Sequence, residues 1–148
     1  TNRAVTLGVS GGTFENPLAS SLTLAGPISG DGLIKTGAGK VILTGAANTY
    51  TTTQISAGIL QVGDGITNGT LGTGLITNDA TLAFDNVAAQ TVSSQIIGTG
   101  ALTKTGAGML VLGGGVANVF TGTTTVSGGN LVLSKNDGID AIGGDLVN

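Results

Sequence analysis

The sequence predicts an all-β solenoid, a chain wound into short stacked coils, and three observations carry that expectation. The stretch ALTKTGAGMLVLGGGVANVFTGTTTVSGGNLVLS, Ala101 to Ser134, has an earlier twin in GLIKTGAGKVILTGAANTYTTTQISAGILQVG, Gly32 to Gly63. Glycine supplies 28 of 148 residues, a density very costly to helices. Apolar residues alternate only briefly, as in Met109 and Val111 or Leu131 and Leu133, before Gly or Asn interrupts.

The internal repeat decides the architecture. Lys35-Thr36-Gly37-Ala38-Gly39 returns as Lys104-Thr105-Gly106-Ala107-Gly108 at an offset of 69. Asn48 and Tyr50 match Asn118 and Phe120 at offset 70, and Ser56 and Leu60 match Ser127 and Leu131 at offset 71. Single insertions in Gly113-Gly114-Gly115 and in Thr123-Thr124-Thr125 account for the drift. Phe14-Glu15-Asn16 and Phe84-Asp85-Asn86 extend the repeat upstream. Each unit of just over 70 residues reads as three or four coils of roughly 18–25 residues, hydrogen-bonded to one another at roughly 4.8 Å. The expected units are residues 1–76 and 77–148 of one continuous solenoid.

Taken in order, Val5-Thr6-Leu7 and Leu22-Thr23-Leu24 are short β segments separated by turns at Gly11-Gly12, Asn16-Pro17 and Gly26-Pro27. The first motif copy follows. Turns at Gly63-Asp64-Gly65 and Asn68-Gly69 precede Leu75-Ile76-Thr77 and Thr81-Leu82-Ala83-Phe84. Thr91-Val92 and Gln95-Ile96-Ile97 lead into the second copy, and Asn136-Asp137-Gly138 and Gly143-Gly144 mark the last turns.

Composition excludes several classes. Only 9% of residues are charged and mean hydropathy is +0.42, which argues against disorder. Aromatic residues at 3% argue against one thick core and against the girdles of a membrane barrel. Arg3, Lys35, Lys40, Lys104 and Lys135 are dispersed, so no basic footprint for nucleic acid or an anionic membrane surface exists. Without Cys there is no disulfide framework, and no apolar run approaches the roughly 18 residues of a spanning helix. Thr1 reads as a processed or cut end.

The residues that could carry chemistry have plain structural readings. Lys35 and Lys104 stand several coils apart, beyond the screening length of roughly 8 Å, and read as solvated lysines at a strand edge or turn. Most of the Asp residues adjoin Gly or Asn and favour tight turns, with Asp137 and Asp140 a minor candidate for one shared ion. Glu15 and Asp85 occupy equivalent positions in successive units, not a paired-carboxylate cleft. Phe14, Tyr50, Phe84 and Phe120 read as covers for the end of a thin core, and Asn48 and Asn118 as backbone-bonding groups at a bend. No catalytic residue, metal site, cofactor, small-molecule substrate or nucleic-acid partner is expected.

At GTGALTKTGAGMLVL, followed by Asn118, Phe120-Thr121-Gly122-Thr123-Thr124 and Gly129-Asn130-Leu131, the chain resembles the autotransporter passenger-associated repeat. That family's pattern is approximately GxGxLTKxGxGxLxLxGxNxYxGxTxxxxGxLxxG. The second copy keeps Gly98, Gly100, Leu102, Lys104, Gly106, Gly108, Asn118, Gly122, Thr124 and Leu131. The first departs at Ile34, where the family prefers Thr, and at Thr52, where it prefers Gly. The resemblance implies a right-handed parallel β-helix in a bacterial surface or secreted protein. It also implies a part in passage across the outer membrane, through the translocation machinery there, and in folding outside it.

The functional expectation is a non-enzymatic stalk or fibre element, with an adhesin surface for glycans or host protein as the alternative. Leu146-Val147-Asn148 followed by Thr1-Asn2 continues the repeat almost in register, which fits either a fragment of a longer array or a subunit stacking head to tail. Val5, Thr6, Leu7, Leu146 and Val147 are therefore the expected self-association residues.

Overall fold

A computed structural model describes residues 1–18 and 20–148. Among the described residues there are seventeen strands of two to six residues and no helix. Every strand pair is parallel, and each strand's next partner follows about 20 residues further along the chain. That spacing is one coil of a solenoid, and it falls within the length read from the sequence.

The coils present three faces. The first consists of Gly12–Glu15, Leu33–Thr36, Thr53–Ile55, Ile76–Asn78 and Ile96–Ile97. The second is a seven-stranded ladder of Ser21–Leu24, Lys40–Leu43, Ile59–Val62, Thr81–Phe84, Ala101–Lys104, Thr124–Val126 and Leu146–Val147, one strand per coil. The third is broken into two pieces. Val5–Leu7 pairs with Ile28–Gly30, and Gln90–Val92, Met109–Gly114 and Asn130–Lys135 form a separate sheet.

Side-chain alternation turns one set of residues inward on each face, and the in-register ladder stacks these into rows. On the second face Leu22, Val41, Leu60, Leu82 and Leu102 form one row, and Leu24, Leu43, Val62, Phe84 and Lys104 the next. On the first face Leu33, Thr53, Ile76 and Ile96 form a row beside Phe14, Lys35, Ile55 and Asn78. Most of these apolar side chains are fully buried, so the core is a thin column shared by all coils.

The repeat is not a whole number of coils. Leu33–Thr36 lies on the first face, but its counterpart Ala101–Lys104 lies on the second. Lys40–Leu43 lies on the second face and its counterpart Met109–Gly114 on the third; Thr53–Ile55 lies on the first and Thr124–Val126 on the second. At roughly 21 residues per coil, one repeat therefore advances about three and a third coils. Equivalent residues sit one face apart.

Candidate functional site: the lysine and asparagine corners

The repeated motif builds corners. Lys35 lies in an inward row next to Phe14, with which it is in register, and Lys104 stands in the same relation to Phe84. Both lysines are buried, at 0% and 1% exposure, which corrects the expectation of solvated lysines. The physical reason is alternation: Leu33 and Lys35, like Leu102 and Lys104, lie two apart on a strand and so share the core side.

A buried ammonium needs acceptors for its three N–H groups. Lys35 Nζ donates to the carbonyls of Thr36 at 2.6 Å, Gly37 at 2.7 Å and Ala57 at 3.1 Å. Lys104 Nζ donates to the carbonyls of Gly106 and, at 3.0 Å, Gly128. In each case one part of the cradle is the lysine's own corner and the other is the corner of the following coil. Burial pulls both ammonium groups below the ordinary value of 10.5, and at Lys104 the nearby charge of Asp85 opposes the shift.

The same corner is fastened to the preceding coil. Gly39 N donates to Asn16 O at 2.9 Å, and Gly108 N donates to Asn86 O at 2.9 Å. The lysine motif with its upstream Phe-x-Asn thus ties three successive coils, and it does so twice. Glycine is required by this close approach. Gly37 has φ +72°, and a Cβ there would strike the Asn16 backbone; a Cβ on Gly106 would strike the Asn86 backbone.

Asn48 and Asn118 bridge coils at a second kind of corner, in agreement with the backbone-bonding role expected of them. Asn48 Oδ1 accepts from Ile28 N at 2.8 Å while its Nδ2 donates to Thr70 O at 2.7 Å. Asn118 Oδ1 accepts from Ile96 N at 2.9 Å while its Nδ2 donates to Ala141 O at 2.7 Å. Each side chain replaces two ladder hydrogen bonds where the backbone turns. Tyr50 and Phe120, two residues on, are fully buried, and burial raises the Tyr50 hydroxyl above 10.0.

The remaining candidates stay apart. Glu15 and Asp85 sit on different faces, and Asp85 receives Gln61 Nε2 at 3.4 Å. Asp137 and Asp140 are exposed, and among the described residues no three carboxylates, His or Cys converge. Val5–Leu7 pairs with Ile28–Gly30 on the third face, whereas Leu146–Val147, half exposed, pairs with Thr124 and Thr125 on the second. Sequence reasoning missed the lysine cradle, although the Leu-x-Lys spacing beside paired glycines was its signal.

A family model described as the passenger-associated-transport repeat matches residues 33–62 and 102–133, the two segments that contain these corners. The chain is 42% identical over 105 residues to the adhesin BmaC autotransporter of Brucella suis biovar 1 (strain 1330). That alignment covers 70% of this chain and 3% of the relative, so the chain spans a small part of the relative's length. No solved structure matches the chain. The chain carries two passenger-associated-transport repeats and is a β-solenoid of the autotransporter passenger-repeat family.

Proposed function

We propose that this segment is a non-enzymatic stalk element of an extracellular or cell-surface passenger. It holds neighbouring coils in register and gives the parent chain length and stiffness. The observation that carries this reading is the double lysine staple, which connects each motif corner to the coils before and after it. Such staples make one coil's stability depend on the next, the nearest-neighbour coupling that makes a solenoid stiff. The proposal takes residues 1–76 and 77–148 as two units of one rod. It places the segment within a longer chain that engages the outer-membrane translocation machinery.

End-to-end association belongs to the same proposal. Thr1 N donates to Thr23 O at 2.5 Å and Ala25 N to Thr1 O at 2.6 Å, which puts the first residues on the second face, as Leu146–Val147 is. In a coaxial stack Leu146 and Val147 meet residues 1–3 on that face, and Val5, Thr6 and Leu7 meet the third face of the next coil. The added rise is about 34 Å for seven coils at 4.8 Å.

The test is electron microscopy of the parent passenger with and without residues 1–148. A rod shorter by about 34 Å with any cell or glycan binding kept supports the stalk. Unchanged length, or loss of cell or glycan binding at unchanged length, supports the adhesin reading that the relative's name favours.

A further inference from the structure

The third face is interrupted in the middle of the rod. The coil from Thr53 to Ile76 is longer than the one before it, from Leu33 to Thr53. The longer coil contains a turn closed by Asp64, whose Oδ1 accepts the N–H groups of Thr67 at 2.6 Å and Ile66 at 3.0 Å. Beyond that turn Leu71 is buried.

The segment of residues 70–73 is bonded to the coil before it, Thr70 N to Gly45 O at 3.1 Å and Thr73 N to Tyr50 O at 3.1 Å. To the coil after it, it is fastened only at its ends. Asn68 Oδ1 accepts from Val87 N and Ala88 N, both at 2.9 Å, Asn86 pairs with the Gly69 backbone, and Ser94 Oγ donates to Thr73 O at 3.2 Å. Among the described residues no backbone hydrogen bond joins residues 70–72 to residues 89–93. A notch of about 610 Å³ opens there, within the range of ligand pockets, and Thr70, Leu71, Thr73, Gln90, Thr91 and Ser93 line it.

One wall of the notch is a strand edge. Gln90–Val92 pairs with Leu110–Leu112 on one side only. In a β-strand successive N–H and C=O pairs point to opposite sides, so every second pair along this strand points into the notch. An open edge is a template for another strand. We propose that the notch docks an extended, uncharged peptide strand, which adds to Gln90–Val92 by backbone hydrogen bonding.

The lining selects that chemistry. The floor from Leu71 and Val92 is apolar, and the exposed rim at Thr73, Thr91 and Ser93 is hydroxyl-bearing. No acidic or basic side chain lines the notch, so a charged guest would lose hydration without gaining a partner. No aromatic ring lines it either, which removes the usual stacking platform for a sugar.

The experiment titrates the whole isotope-labelled chain with acetyl-Thr-Val-Thr-Val-Thr-amide at millimolar concentration, and with the same peptide N-methylated along its backbone. Expected are NMR shifts confined to residues 70–73 and 89–94, and at least tenfold slower exchange at one or more amides of residues 90–93. The N-methylated peptide should produce neither effect. Thr73→Trp and Ser93→Trp, both at exposed rim positions, should keep the parent's circular dichroism and melting temperature and lose the shifts. Equal binding by the N-methylated peptide, no response at millimolar peptide, or shifts at these residues with a neutral oligosaccharide in place of the peptide would each overturn the proposal.

Discussion

The two lysine corners carry the same five-residue motif but do not hold their charge in the same way. Lys35 has three carbonyl acceptors, while Lys104 has two and the field of Asp85. Gly37 adopts a left-handed backbone, whereas Gly106 serves by leaving room for the Asn86 backbone. Each motif thus keeps a geometric demand, a cation closed over by the next coil, and meets it with different local means. The repeat copies what the corner must do more faithfully than how each atom does it.

The largest effect should come from removing the cation. Lys35→Met leaves the Gly37 and Ala57 carbonyls without a donor, since Thr36 O keeps the Asn16 N–H, and Lys104→Met leaves those of Gly106 and Gly128. Each should cost about 2 kcal/mol in denaturant unfolding. Clearly unequal losses would show that more than the number of orphaned carbonyls separates the corners. Gly37→Val and Gly106→Val come next, at about 1–3 kcal/mol. The Gly37 change should be the worse, because it combines strain with a clash. A variant melting like the parent at either position would leave that corner's close approach without consequence.

The pH dependence sharpens the comparison. Both lysines titrate in the fold below the unfolded value of 10.5. Their contribution is therefore fully present above 10.5 and is lost as pH falls through the folded value. Stability of the parent relative to Lys35→Met should rise with pH across that window. At Lys104 the rise should steepen in Asp85→Asn, since the carboxylate opposes the shift. Stability curves at stepped pH read both, and a flat difference would sink the assignment. Tyr50 works the other way: its raised value gives stability present below 10.0 and lost as pH climbs through the folded value. The smallest effect is expected from Tyr50→Phe, the residue type its counterpart Phe120 already has. It should change stability near neutrality by less than about 1 kcal/mol and abolish the alkaline loss.

Much of this architecture was legible. Repeated KTGAG segments, short alternating runs and abundant glycine pointed to the solenoid, its coil length and the backbone role of Asn48 and Asn118. The lysine cradle was not read because a lone charged residue is ordinarily placed in water, and the acceptors that reverse this, Ala57 and Gly128, lie 22 and 24 residues downstream. The notch was beyond reach for a related reason. Glycine and asparagine at residues 63–74 announce turns, but only the neighbouring coil reveals that a ladder fails to close there.

The fractional pitch of the repeat has a consequence for longer rods. If further copies follow at the same spacing, equivalent residues climb the shaft as a spiral staircase, about 16 Å higher and one face round at each copy. A given side chain then returns to the same side only after about ten coils, or about 48 Å. A passenger built this way offers its repeated features in every direction around the axis, and no single side of the shaft becomes crowded with like groups.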